Sequence, residues 1–548
     1  VSLTPATLLW AGLVLACFVA SVLGLTAPVW DAPASRALGS PNGEAAAHLW
    51  GLQVAAGGLL DHGPFLRVAE AAWPAGLRAD LVDPLHLLLV APLAGGGGGG
   101  GALLGWNLLP VVSLALGGAG GAWLGVRLGL GRAGAALLAG LVVCSPAFAG
   151  ATVPVGRSEQ LVLGWSVLHL AALHGALAQG GGRRVLVAGL TLGLQALGGW
   201  RPLMLLLFLE LPLVLAWARG RGGWARAVAV GGIGALVSTP MLAAHVGVSP
   251  WWLSQGPWPS PFDHEVTPAA LSSLLSLDGA GPWTGDPTAN AGRVALVLAI
   301  AGAIARPRAA APWLGLGLVL WVLAAGLRVA VGDHVGFGAA AWLSWVVPPL
   351  RAVHGWPRLA PLALVPLAVA AARGLDGPGP RRAVVVVLGL ALAAIEGIAW
   401  RPVGQGSVDP TPPPAVRALP PGALVWLPTR PAPGPVAQGA ADRALLWAHA
   451  VDRPTTVTPS PWPSQAEALL GPLAGVGRPG PPSPCAPDLA PTLRAAGAGA
   501  VVLDLGLLPG GRAAQEAEAR VRAQLGEPNA TGEGWRAWAL DAEAGCGR

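Results

Sequence analysis

"WNLLPVVSLALGGAGGAWLGVRLGLGRAGAALLAGLVVCSPAFAG", residues 106–150, holds no acidic residue and two basic ones, Arg127 and Arg132. The arginines divide the region into apolar runs, 102–124 and 134–150. Each approaches the roughly 20 residues that a helix needs to cross a bilayer. Two such runs joined by a short basic connection read as a pair of membrane spans. Working outward, similar runs lie near 6–26, 159–178, 185–199, 203–218, 226–246, 293–305, 312–330, 358–373 and 383–400, with 185–218 readable as one hairpin or a broken helix. That makes about eleven spans.

Composition agrees. Of 548 residues 53% are hydrophobic and 11% charged, with a mean hydropathy of +0.59. Soluble domains carry about 25% charged residues. The 33 basic residues are all arginine, Tyr is absent, and Gly and Pro are abundant, which suggests a GC-rich genome and discounts the Ala and Gly excess as a functional signal. The net charge of +6 is no nucleic-acid footprint, because the arginines fall in short inter-helix connections and in the tail. Val1 reads as a translated alternative start codon or an incomplete N-terminus. "VLAC" at 14–17 faintly matches a lipobox, but without a basic flank and with the apolar run continuing it reads as a retained first helix. Cys17 and Cys144 read as buried thiols, and no cysteine spacing points to zinc.

Arginine placement orients the spans. Arg127 and Arg132 share one connection, and Arg183 and Arg184 fall in the next but one. Then come Arg219, Arg221 and Arg226, then Arg306 and Arg308, then Arg373, Arg381 and Arg382. Every second connection is basic, and the short ones between hold only Arg157 and Arg201. Basic loops stay in the cytoplasm. This places the N-terminus inside, and the loops 27–101, 247–292 and 331–357 and the tail from 401 outside. The reading is therefore a transmembrane domain over 1–400 and, over 401–548, a Pro-rich linker with a small external α/β domain. In the tail "ALVWLP" and "GAVVLDLGLLP" read as strands and "GGRAAQEAEARVRAQLG" as a helix. External Cys485 and Cys546 are a candidate disulfide. "NAT" at 529–531 matches a glycosylation sequon, which would carry no meaning in a bacterium.

The external loops have content of their own. "DPLHLLLVAPLA" (83–94) is apolar but too short to span, and seven glycines (95–101) end it, so it reads as re-entrant or interfacial. "SPWWLSQGPWPSPFDHE" (249–265) and "AAWLSWVVPPLRAVHGWPR" (340–358) are Trp-rich, which suits either anchoring at the headgroups or lining a lipid-substrate groove.

One helix, a large external loop, many further helices and an external tail resemble the GT-C superfamily of membrane glycosyltransferases. Residues 106–150, with an Asn-Leu-Leu helix, "RLGLGR" and a final "SP", resemble a segment of bacterial YfhO-type and related GT-C-like proteins. So do "HGPFLRVAEAAWPAGLRADLVDPLHLLLVAPL" (62–93), "GLQALGGWRPLM" (193–204), "LRAVHGWPRLAPLALVPLAVAAARGL" (350–375), "LPPGALVWLP" (419–428) and "LLWAHAVDRP" (445–454). The resemblance implies an α-helical polytopic fold in a bacterial cytoplasmic membrane. It implies a polyprenyl-phosphate-sugar donor and a cell-envelope glycan, lipid or protein as acceptor. An acid of the first external loop would serve as base, or in some members as metal ligand. No cofactor is certain from the resemblance, and a divalent metal would serve only in members of that kind.

The chemistry asks for few groups. An acceptor hydroxyl loses its proton as it attacks, and a carboxylate in reach can take it. The leaving phosphate needs a cation. Candidate bases are Asp31 in "APVWDAP" and Glu44 in "SPNGEAAAHLWGLQ", where relatives often carry Gly-Asp. On a helix over 44–59, Asn42 caps and Glu44 shares a face with His48, so the stretch is either part of a site or a capped interfacial helix. Asp31 either serves the site or closes a span. Arg157 and Glu159 in "GRSEQL" and Arg201 in "GGWRP" sit at external mouths, where charge is costly and is paired or functional. Arg351 and His354, with Asp333, His334 and Arg358 nearby, either grip a lipid phosphate or lie solvated at the headgroups. Asp263, His264 and Glu265 are adjacent and diverge on regular structure, so they make no metal site. Glu210, inside a span, pairs within the bundle, and His169 and His174 read as bundle residues. Two other functions share this architecture. A non-catalytic scaffold or assembly factor would leave the acids and arginines unconverged. A transporter or flippase of lipid-linked material would line its path with polar groups, of which the spans hold few.

Overall fold

Proline and glycine set the helix boundaries in a computed structural model of the chain. It describes residues 4–39, 45–61, 67–68, 77–78, 84–97, 99–144, 163–246, 269–270, 292–331, 334–347, 350, 356–377, 379–399, 407–428, 443–448, 450–451, 453–455, 470, 473, 476, 486, 488–505, 508 and 511–540. Along the chain run α1 (Pro5–Thr26), α2 (Ala45–Asp61), α3 (Pro84–Gly97), α4 (Gly99–Arg127), α5 (Arg132–Cys144), α6 (Leu163–His174), α7 (Gly182–Leu197), α8 (Trp200–Trp217) and α9 (Gly220–Val246). There follow α10 (Arg293–Ala305), α11 (Pro307–Ala324), α12 (Ala339–Val346), α13 (Ala360–Leu375) and α14 (Pro380–Ala399), then α15 (Leu489–Ala495) and α16 (Gly511–Leu525) in the tail. A helix lies at each segment expected to be apolar and helical. By length and composition Pro5–Val29, Gly100–Arg127 and Pro307–Ala324 can each cross a membrane, and Leu85–Ala94, Arg132–Cys144, Pro202–Trp217, Arg293–Ala305 and Ala360–Leu375 are shorter apolar helices.

Three boundaries differ from the sequence reading. The expected span 312–330 is α11, which starts at Pro307, where the missing N–H costs nothing. It gives way to an antiparallel hairpin of Arg328–Val331 with His334–Phe337. Residues 185–218 form two helices parted at Gly198 and Gly199, the latter at φ 149, closed to L side chains. The glycines at 95–101 do not end the preceding segment: α3 runs on through Gly97 and α4 begins at Gly99. A methyl group built on Gly101 would meet Leu93 O at 2.0 Å, so only glycine lets the two helices fold back on each other this tightly.

The chain divides into two compact units, residues 1–30, 83–86 and 107–405 in one and 31–82, 87–106 and 406–548 in the other. In the first, glycines mark the helix crossings. A Cβ on Gly374 would lie 2.0 Å from Gly302 Cα, where α13 meets α10, and one on Gly164 would lie 2.1 Å from Ser113 O, where α6 meets α4. Helix packing in lipid depends on such close approach, because lipid tails are as apolar as leucine and hydrophobic burial drives little association. The glycine excess, discounted from composition, is thus structural at these crossings.

Polar bonds gather the basic connections at one end of this bundle. Arg132 Nη1 donates to Thr4 Oγ1 at 2.9 Å, and the Gly131 N–H to Asp376 Oδ2 at 2.9 Å. Arg373 Nη2 donates to Leu128 O at 3.0 Å, Arg382 Nη1 to Asp376 O at 3.2 Å, and Arg226 Nη2 to Leu177 O at 2.9 Å. Arg127 bonds Gln179 and lies over the Trp123 ring. Beyond the hairpin, α12 buries Ala340, Ala341 and Ser344 and exposes Trp342, Trp345 and Val346. Its rings pack edge-on at 5.0 Å, and Phe337 joins them at 5.7 Å from Trp345. Small residues inward and aromatics outward suit an element bathed by lipid at the headgroup level.

In the second unit Ala37–Leu38 pairs antiparallel with Ser407–Val408, and Trp106 Nε1 donates to Leu38 O at 2.8 Å. A four-stranded sheet runs in the order Ala530–Gly532, Trp535–Ala539, Ala498–Asp504, Ala423–Leu427. Ala423–Leu427 and Ala498–Asp504 are parallel, and the other pairings are antiparallel. Both parallel strands are buried throughout, as continuous apolar runs require. Their side chains share one core with Leu493 of α15, Val521 of α16 and Trp538. Asn529 of the sequon holds the sheet: its Oδ1 accepts from the Ala539 N–H at 2.6 Å. Cys485 and Cys546 lie outside the described residues.

Candidate functional site

The first acid after α1 is Asp31, which follows the short 3-10 turn Ala27–Val29. Trp30 closes that turn, its Nε1 donating to Thr26 Oγ1 at 2.6 Å. Asp31 Oδ2 accepts from Arg36 Nη1 at 3.0 Å, with the two side chains 66% and 46% exposed. A solvated ion pair of this kind contributes at most about 1 kcal/mol and leaves the carboxylate free to exchange partners. His48 lies in the first turn of α2 and is half-buried. Arg201 is the second residue of α8, and its side chain lies outside the described residues. Glu44, Arg157, Glu159, Arg351 and His354 lie outside them entirely. Of the cluster around 332–358, His334 is exposed on the hairpin and Trp356 is fully buried, edge-on to Phe208 at 5.5 Å.

Inside the bundle the acid at 210 has a partner. Glu210 Oε1 of α8 lies 2.8 Å from His169 Nε2 of α6, with the side chains 8% and 0% exposed. The contact is short but does not have the geometry of a hydrogen bond. His169 Nδ1 lies 3.0 Å from Thr191 Oγ1 and 3.1 Å from Ala188 O, both on α7. Nearby, Ser166 Oγ donates to Gln195 Oε1 at 3.0 Å. Three helices thus meet through one polar cluster, as buried polar groups within a membrane require. His174 stands edge-on to Trp217 at 4.7 Å. Both histidines have bundle partners.

At the end of the bundle away from the basic connections, a charged pair of positions escaped sequence reasoning. Glu396, in the last turn of α14, caps α10: its Oε1 accepts from the Arg293 N–H at 2.7 Å and its Oε2 from the Val294 N–H at 3.2 Å. These are two of the N–H groups that a helix start leaves without internal partners. Arg293 is half-buried, and its Nε and Nη2 are buried without a hydrogen-bond partner among the described residues. Arg293 was counted as the first residue of a span, which hid it. The available signal was position, since the short connections at that end hold few arginines. Among the described residues no three His, Cys, Asp or Glu side chains gather in a way that could hold a metal.

No family model matches the chain, and no curated protein does. Solved structures do. The chain is similar to the arabinofuranosyltransferase AftD from mycobacteria, with TM-score 0.57 and 17% identity over 99% of this chain and 42% of that one. It therefore spans less than half the length of AftD. It is similar to the oligosaccharyltransferase AglB from Archaeoglobus fulgidus in complex with an inhibitory peptide and a dolichol-phosphate, with TM-score 0.54 and 13% identity over 97% and 74% of the two chains. It is similar to ArnT from Cupriavidus metallidurans in the apo state, with TM-score 0.53 and 12% identity over 99% of this chain and 100% of that one. The fold is that of the GT-C-like membrane glycosyltransferases, and the chain is a membrane protein.

Proposed function

We propose that the chain is a glycosyltransferase of GT-C type, moving a sugar from a polyprenyl-phosphate carrier to a cell-envelope glycan, lipid or protein. The supporting observation is the fold likeness, which extends over nearly the whole chain to AftD, AglB and ArnT. In this reading the protein lies in the bacterial cytoplasmic membrane with the basic end of the bundle inside. Reaction takes place at the external face, and residues 401–548 provide an external α/β domain.

The acceptor oxygen attacks the anomeric carbon as that carbon's bond to the phosphate oxygen breaks. Asp31 or Glu44 takes the acceptor proton. Arg157, Arg201 and Arg351 offset the charge on the departing phosphate, with His48, Glu159 and His354 as substrate contacts. A divalent metal, if one serves, would need ligands beyond the described residues.

The test is sugar transfer from a polyprenyl-phosphate donor pool by the full chain in lipid, wild type beside Glu44→Gln and Asp31→Asn. Loss of transfer in one variant that still folds would identify the base. No transfer from any donor would favour a GT-C-like scaffold or assembly factor. The pairing of Asp31 with Arg36 at 3.0 Å is the observation that keeps that second reading in view.

A further inference from the structure

Two arginines of the basic connections close on one point. Gly377, between α13 and α14, has φ 146, in the region that favours glycine. A Cβ built on it would lie 2.0 Å from Arg382 Nη1 and 2.9 Å from Arg306 Nη2. Both arginines are half-buried. Arg382 Nη1 donates to Asp376 O at 3.2 Å, and Arg306 makes no side-chain hydrogen bond or ion pair among the described residues. Every residue of the basic connections is described except Pro378, and their twelve arginines stand against a single acid, Asp376. Its carboxylate serves the start of α5, accepting from the Gly131 N–H at 2.9 Å, and it forms no ion pair with Arg306 or Arg382. Retention of arginine on the cytoplasmic side accounts for arginines in these connections, but not for two guanidiniums sharing one glycine. Like charges brought this close repel unless an anion lies between them. The surroundings add to the positive field, because α11 opens at Pro307 and α14 at Pro380, and a helix N-terminus favours an anion. The planar fork of a guanidinium matches the oxygens of a phosphate.

We infer that Arg306 and Arg382 clamp one phosphate group beside Gly377, at the basic end of the bundle. The shared chemistry is a phosphate oxyanion, supplied either from solution or by the headgroup of an anionic phospholipid in the adjoining leaflet. The clamp lies at the end opposite the face on which sugar transfer is proposed, and it stands independently of that proposal.

The experiment uses the full chain in neutral phosphatidylcholine nanodiscs. One probe is inorganic phosphate, set against sodium chloride at equal ionic strength. The other is phosphatidylglycerol mixed into the disc. Melting temperature and probe affinity are read for wild type, Arg306→Gln, Arg306→Lys and Arg308→Gln. A ligand of the folded protein raises the melting temperature by mass action. The wild type should gain melting temperature with at least one probe. Arg306→Gln should lose that gain, with about 10- to 100-fold weaker affinity, and Arg306→Lys should fall between. Arg308→Gln removes an exposed charge from the same connection and should keep the gain. Without a probe Arg306→Gln should melt no lower than wild type, because a repulsion is relieved and no bond is lost. A gain with inorganic phosphate would uphold the clamp as a site for free phosphate. A gain with phosphatidylglycerol alone would uphold it and assign it to a headgroup. Equal losses in Arg306→Gln and Arg308→Gln would reduce the effect to diffuse charge and overturn the clamp. So would a wild type that gains nothing from either probe, or a lower melting point for Arg306→Gln without one.

Discussion

Glu210 in the bundle and Glu518 in the tail each sit beside cationic or titratable neighbours, and they are held in different ways. Glu210 has an imidazole at 2.8 Å inside a polar cluster fed by three helices. Glu518 Oε1 accepts from Arg522 Nη2 at 2.7 Å and from Arg536 Nε at 3.2 Å, on a helix face where Arg522 is 39% exposed. Water can replace the tail contacts if they break. The His169 contact is buried away from water. The same carboxylate is therefore a local adjustment in one region and a condition of assembly in the other.

The sharpest way to break this contrast is Glu210→Ala. It leaves a buried imidazole without its partner and should cost about 3–5 kcal/mol, read as a lower melting temperature in detergent. If the variant melts like wild type, the cluster does not hold the bundle. Next in size is Gly374→Val. Its side chain has no room against Gly302, and overpacking should cost about 1–3 kcal/mol by the same measurement. Glu396→Ala removes both capping bonds on α10 and should cost about 0.5–2 kcal/mol, seen as faster amide exchange at residues 293 and 294.

The smallest effect belongs to the tail. Partial burial pushes the Glu518 carboxyl up, but the Arg522 and Arg536 guanidiniums outweigh it and hold the group below the usual carboxylate range. A depressed pKa adds stability that is present above the unfolded value, about 4.3, and is lost as pH falls through the folded value. Glu518→Gln should therefore cost about 1 kcal/mol at pH 7 and nothing in strong acid. Exchange protection of strand Ala498–Asp504 in the full chain, corrected for intrinsic rates, measures it. Equal protection of variant and wild type at pH 7 would show that the tail pairs are idle.

The candidate site was only partly legible in the sequence. Asp31 stood out as the first acid past a span, but its engagement with Arg36 did not, because five residues of irregular chain carry no periodicity to read. Arg293 was lost inside a hydropathy window that averages one charge among a dozen apolar residues. Glu210 was readable as needing a partner, since a lone acid in a span is too costly to stand alone. Which histidine met it was not readable.

By itself the sequence determined where the helices lie, which connections are basic, and that "ALVWLP" and "GAVVLDLGLLP" form strands. These follow from local sums, such as runs of apolar residues long enough for a bilayer or a sheet core and arginines clustered in alternate connections. Tertiary structure alone decided that Glu210 faces His169, that Glu396 caps α10, that Gly302 and Gly374 touch, and that Ala37–Leu38 pairs with Ser407–Val408. Each of these joins residues far apart in the chain. Its outcome depends on which helix face or strand edge packs against which, and no local sum contains that information.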